Sequence, residues 1–167
     1  LLHPDVWLHG KTVPNRLAVL ADWVRNGGGL AMCGGYLSFS GIYGSAKFYG
    51  TPVEDVLPVT MYERDDRIEA PQGGAIKTLN GNHPILSGVS GDWPPVLGFN
   101  EVIIKPEADE LAQVDGKPFI ATMDAGQGRT LVWTSDIGPH WCPTPFVEWS
   151  GFAAIWQQSV RWLAGRK

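Results

Sequence analysis

"VRNGGGLAMCGGYLSFSG", residues 24–41, is the stretch on which the fold turns. Its centre, "GLAMC", is a brief apolar run bounded by glycines, too short for a helix and suited to a strand covered on both faces. Just upstream, "TVPNRLAVLADWVRNGGG" places Leu17, Leu20, Ala21 and Val24 at helical spacing. Pro14 stands near the start of that helix, and Gly27 stands where a left-handed cap would close it. A helix that runs into a buried strand predicts an α/β fold.

Working outward, "GGYLSFSGIYGSAKFYG" mixes five glycines with aromatic residues and reads as a loop or broken helix over the end of the sheet. Thr51 and Pro52 open a capped turn, Val59 to Tyr62 are strand-like, and "ERDDR" reads as a solvated turn. "NGNHPILSGVSGDWPP" is punctuated by turn residues and reads as loop. "EVIIKP" and "ELAQVDGKPFIATMDAGQGRTLVWTSD" read as strands, with a hairpin signal at Asp115-Gly116 and a turn at Gly126 to Gly128. The last segment sets Phe152, Ile155, Trp156, Val160 and Leu163 on one helical face, predicting a helix docked on the sheet and closed by Gly165. No repeat or linker divides the chain, so residues 1–167 read as one domain.

The composition narrows the function. The chain has 167 residues, 44% hydrophobic and 18% charged, and its longest apolar run falls short of a membrane span. A net charge of -4 without a basic stripe argues against a nucleic-acid partner. Cys33 and Cys142 stand 109 positions apart with no signal peptide, which points to a reducing, cytoplasmic setting. Eight tryptophans need a core, a pocket or an interface, and homo-oligomerisation is one outlet for them.

Two residues stand out chemically. A turn leaving a strand exposes one side chain at the carboxyl edge of a sheet, and Cys33 followed by Gly34 and Gly35 fits that geometry. There a thiol could act as nucleophile, with the backbone N–H groups of Gly34 and Gly35 as an oxyanion hole. The competing reading is a buried cysteine that only fills space. His140, in the Gly/Pro loop of "WTSDIGPHWCP", is the best placed of the four histidines to serve as base, or it braces Trp141. His83 reads as a locally bonded loop residue, and His3 and His9 lie near the chain end.

Cofactors and metals find no pattern. Cys33, His140, Cys142 and Asp136 could supply metal ligands, but their spacing matches no zinc motif, so no metal is expected. The Gly27–Gly29 triplet lacks the residues of a P-loop, and no GxGxxG occurs, so no cofactor is expected. A small molecule would then be met by an aromatic cleft of Tyr36, Phe39, Trp141 and Trp149.

Several stretches together resemble the class I glutamine amidotransferase-like superfamily, and within it the "putative glutamine amidotransferase" branch. They are "VRNGGGLAMCGGYLSFSG", "YGTPVEDVLPV", "DDRIE", "NHPILSGV", and "GQGRTLVWTSDIGPHW" ahead of a helix ending "RWLAG". The last also looks like ThuA-like relatives and the amidotransferase-like domain of some β-galactosidases. The resemblance implies a flavodoxin-like three-layer α/β/α sandwich with a hairpin in its second half. It also implies that the strands normally preceding "TVPNRLAVLADWV" belong to an upstream segment of the same gene product. In the family, the nucleophile elbow reads Gly-x-Cys-x-Gly. "AMCGG" supplies Cys33 and Gly35 but puts Ala31 at the first glycine. The family's His-x-Glu becomes "HWC", with His140 in place and Cys142 where the glutamate belongs. Asp136 or Glu148 could stand in as the orienting acid. The resemblance therefore leaves two outcomes: cysteine-dependent amide hydrolysis with an incomplete triad, or a sugar-like-ligand or oligomerisation module on the same fold.

Overall fold

The structure is a computed structural model that describes residues 7–8, 11–12 and 14–165. In chain order the elements begin with β1 (Trp7–Leu8), β2 (Lys11–Thr12), α1 (Arg16–Arg25) and β3 (Gly29–Cys33). Next come α2 (Pro52–Val56), β4 (Val59–Met61), β5 (Arg67–Gly74) and β6 (Ile76–Thr78). They are followed by β7 (Val96–Asn100), β8 (Val102–Ile104), β9 (Asp109–Val114), β10 (Lys117–Ala125) and β11 (Gly128–Trp133). The chain closes with α3 (Thr144–Val147) and α4 (Ser150–Leu163). Single 3-10 turns cover Ile42–Gly44 and Pro84–Leu86.

Local chemistry sets most of these boundaries. Asn15 caps α1, its Oδ1 accepting from Leu17 N at 2.9 Å. β9 and β10 are joined through Asp115 (φ 47°) and Gly116 (φ 77°), both left-handed, as a two-residue turn between right-twisted strands requires. The main sheet runs β3-β11-β10-β9-β6, in which β3 is parallel to β11 and the other neighbours are antiparallel. β5 pairs with β7, and β4 with β8, in two small antiparallel ribbons.

Alternation along β11 makes the layers. Leu131 and Trp133 pack with Phe119, Phe146 and Ile155, placing α4 on one face. Val132 packs with Leu17, Val53 and Leu57, and Thr130 Oγ1 donates to Val56 O, placing α1 and α2 on the other. This is the three-layer α/β/α arrangement the resemblance implies.

The structure revises several details. β3 occupies the expected residues, but all five are half-buried, because only β11 pairs with it. Val160 is 63% exposed rather than inward, since the sheet-facing positions of α4 are Gly151, Ile155 and Ser159. The segment read as featureless loop carries a 3-10 turn whose Ile85 and Leu86 enter the core. "ERDDR" is only partly a solvated turn, because Asp66 is fully buried. His83 does bond locally, its Nδ1 accepting from Ile85 N at 3.2 Å. His3 and His9 lie outside the described residues.

Candidate functional site

The carboxyl ends of β3 and β11 lie side by side, with Cys33 in register with Trp133. The chain leaves β3 through Gly34 and Gly35, and both positions exclude a side chain. A Cβ on Gly34 would fall 2.2 Å from the Thr134 carbonyl oxygen. One on Gly35, at φ +132°, would fall 2.9 Å from Asp136 Oδ1.

The N–H groups of these glycines are already used. Gly34 N donates to Trp133 O at 2.7 Å, and Gly35 N donates to Asn100 Oδ1 at 2.8 Å. The oxyanion hole expected from Gly34 and Gly35 is therefore not open: one donor serves the sheet and the other a buried amide. Asn100 completes the clamp by donating from Nδ2 to Gly35 O (3.2 Å) and to Asp66 Oδ1 (2.8 Å). Asp66 in turn accepts from Ser40 N at 2.8 Å and Gly41 N at 2.9 Å, pinning the loop that follows β3. Burial pushes the Asp66 carboxyl upward, while the bonds from Asn100, Ser40 and Gly41 pull the other way. Sequence reading missed Asn100 and Asp66. The available signals were an asparagine inside the apolar run "VLGFNEVII" and the doubled aspartate of "DDRIE".

By alternation Cys33 shares the α4 face with Ala31. Its sulfur has no hydrogen-bond partner among the described residues, and burial pushes the thiol up to about 11. Cys142 is fully buried, its thiol pushed up to about 12 by burial and then by the Asp136 charge. Both cysteines are free thiols.

His140 is instead bound to Asp136, Nδ1 to Oδ2 at 2.9 Å, with the same oxygen accepting from Trp141 N at 3.1 Å. With Nδ1 directed at a carboxylate, the half-exposed imidazole turns Nε2 away from that contact. Of the two acids expected at this position, Asp136 is at hand. Glu148 is exposed at the end of α3 and makes no bond to His140.

The aromatic residues divide. Tyr36 meets the His140 ring edge-on at 5.2 Å, and its hydroxyl donates to Glu69 Oε1 at 2.9 Å. Trp141 Nε1 donates to the other oxygen of Glu69 at 3.0 Å. The Arg67 guanidinium, forked onto Asp65 at 3.0 and 2.8 Å, lies 4.6 Å from the Tyr36 ring centre. Trp141 and Phe39 are buried, so the cleft expected from Tyr36, Phe39 and Trp141 does not form: Phe39 packs with Leu17 and Val53, and the Trp141 indole lies on Gly98. Trp149 joins the core beside Trp93 and Phe146. The hollow on this loop, about 370 Å³, is lined by Tyr43, Tyr49, Lys47, Glu63 and Ser40 instead. Among the described residues no three His, Cys, Asp or Glu side chains gather as metal ligands.

Comparison with known proteins agrees with the architecture. The family described as "Putative glutamine amidotransferase" matches residues 1–165. A cytoplasmic protein of Salmonella typhimurium is 36% identical, with a TM-score of 0.89 over 94% of this chain and 63% of its own. A second cytoplasmic protein, from Salmonella typhimurium LT2, is 37% identical, with a TM-score of 0.86 over 90% of this chain and 61% of its own. The chain thus spans about three fifths of the length of these two relatives. A ThuA-like protein of Parabacteroides merdae, 15% identical with a TM-score of 0.58 over 97% of this chain and 68% of its own, shares the fold. A search of curated proteins gives no match. No helix among the described residues is long and apolar enough to cross a membrane.

Proposed function

The chain belongs to the "Putative glutamine amidotransferase" family, and from that membership we propose that it is a member whose fold serves small-molecule binding rather than amide hydrolysis. One observation carries this reading: the elbow amides that would stabilise an oxyanion are spent on Trp133 O and Asn100 Oδ1. The Cys33 thiol, held near 11, adds to it, because at neutral pH such a sulfur is a thiol and not a nucleophile. The ligand is sugar-like. Tyr43 and Tyr49 offer rings for stacking, and Ser40, Lys47 and Glu63 offer the polar groups that hydroxyls pair with. The domain works in the cytoplasm, a reading supported by its two unpaired cysteines and by its cytoplasmic relatives.

A second reading draws on Asp136, which stands 2.9 Å from His140 and supplies the carboxylate that "HWC" lacks. In it, Cys33 attacks the amide carbonyl after passing its proton to His140, and His140 returns that proton to the departing amine; water, deprotonated by His140, then cleaves the resulting thioester, releasing the acid and restoring the Cys33 thiol. The pH profile of Cys33 alkylation separates the two. Binding without hydrolysis expects a midpoint near 11 and no release of ammonia from glutamine. It also expects a sugar panel to perturb the native protein and Tyr43→Ala to abolish the response. A midpoint at or below about 8.5 together with glutaminase activity would replace it with the hydrolytic reading.

A further inference from the structure

Arg129 opens the stretch of β11 that pairs with β3, and Trp133, in register with Cys33, closes it. At the Arg129 end, away from Cys33, a groove of about 630 Å³ lies between the 3-10 turn at Pro84–Leu86 and the last turns of α4. Arg129 and Arg161 both line it, with Trp162 and the neutral polar residues Asn82, Ser87 and Gln158. Among the described residues no carboxylate lines it, although acids outnumber bases in the chain, 17 to 13. The indole of Trp162 is fixed in place: the His83 ring meets it edge-on at 5.4 Å, and the Arg129 guanidinium lies 5.2 Å from its ring centre. Arg129 Nη1 donates to Trp162 O at 2.8 Å, and Gln158 Nε2 donates to Ser87 O at 3.0 Å, tying α4 to both walls.

Ordinary reasons cover each arginine alone but not the pair. Arg161 stands in the last turn of α4, where a cation suits the helix dipole. Arg129 faces Asp124 across the sheet, Nε to Oδ1 at 3.7 Å, but that carboxylate is 80% exposed, so solvent screens the pair. Arg161 is exposed and, among the described residues, bonds to no carboxylate. Two cations lining one groove repel each other until an anion enters it. Guanidinium groups from two elements, with an amide and a hydroxyl beside them, bring more N–H and O–H donors than the oxygens of a carboxylate can use, and they match the larger set of oxygens on a phosphate group. We propose that this groove binds phosphate, free or as the head of a phosphomonoester, through Arg129 and Arg161. Arg129 is the pre-set half of the pair, anchored on Trp162, and Arg161 closes onto the anion from the helix. The groove is a second site, because the hollow lined by Tyr43 and Tyr49 belongs to the loop that follows β3 at the other end of the sheet.

The test titrates the isotope-labelled protein with inorganic phosphate, glycerol phosphate and acetate at constant ionic strength, read from its backbone amide and indole NMR signals. The expected result is saturable shifts at Ser87, Gln158 and Trp162 with both phosphates, and much smaller ones with acetate at the same concentration. Arg161→Gln should weaken phosphate binding about tenfold and leave the melting temperature unchanged, since the side chain is exposed. Arg129→Lys keeps the charge but loses the planar fork, and should weaken binding as well. Tyr43→Ala should leave it unaltered. Tighter binding of glycerol phosphate than of phosphate assigns a phosphomonoester, and equal or weaker binding assigns the free ion; either supports the site. Shifts that do not saturate, that match those with acetate, or that persist at full affinity in Arg161→Gln overturn the proposal.

Discussion

Asn100 is the residue on which the turn after β3 depends, since one side-chain amide satisfies both the N–H and the carbonyl of Gly35 and reaches Asp66 as well. Asn100→Ala leaves these buried groups without partners and is expected to cost about 2–4 kcal/mol, read as a shift in the urea midpoint. Gly34→Ala drives a methyl into the Thr134 carbonyl, which has no rotamer to yield with, and is expected to be at least as damaging in the same measurement. A second residue-scale outcome concerns pH. Lys117 and then Arg64, bonded to Glu101 at 2.6 and 2.7 Å, hold its carboxyl below the ordinary value of 4.5. A depressed acid stabilises the fold above its unfolded value, and that contribution is lost as pH falls through the folded value. Glu101→Gln should therefore cost about 1–2 kcal/mol near neutrality and progressively less below 4.5, measured by denaturation across that range. Asp66 works in the opposite sense: raised by burial, it adds stability as pH falls. These residue-scale facts were the least legible in the sequence. Cys33 and His140 announce themselves by type and neighbours, whereas the bonds that occupy Gly35 come from positions 66 and 100, and no local pattern links them.

At the scale of elements, the sequence was read well wherever one segment folds on itself. The β9–β10 turn follows from Asp115-Gly116, and α1 from its apolar spacing and its glycine end. β5 and β7 are not legible locally because they stabilise each other across a separation of about thirty residues, and a shift in their register weakens the alternation of each. Helix α4 is legible, but its apolar spacing points to an inner stripe of large residues, while the sheet accepts Gly151 and Ser159 beside Ile155. Two substitutions check that orientation. Ile155→Ala should cost about 2–4 kcal/mol in chemical denaturation, as a cavity in the core beneath Trp133 demands. Val160→Lys in the 167-residue chain should stay within about 0.5 kcal/mol of the parent, the behaviour of an exposed site.

On the scale of the whole molecule, the family and the three layers were legible because motif and fold are spread along the entire chain, from "LAMCGG" to "RWLAG". The chemistry was not, because it depends on which donors remain free after folding. The parallel pairing of β3 with β11 bears on one more property, the order in which the chain assembles. Ala31 meets Leu131, one hundred positions later, whereas β9, β10 and β11 meet across turns of two residues. Closing the long loop costs about 4 kcal/mol of chain entropy before any contact rewards it. The meander is therefore expected to form the kinetic nucleus, with β3 joining after the rate-limiting barrier. In stopped-flow experiments, Gly116→Ala should slow refolding, while Met32→Ala should leave refolding nearly unchanged and hasten unfolding.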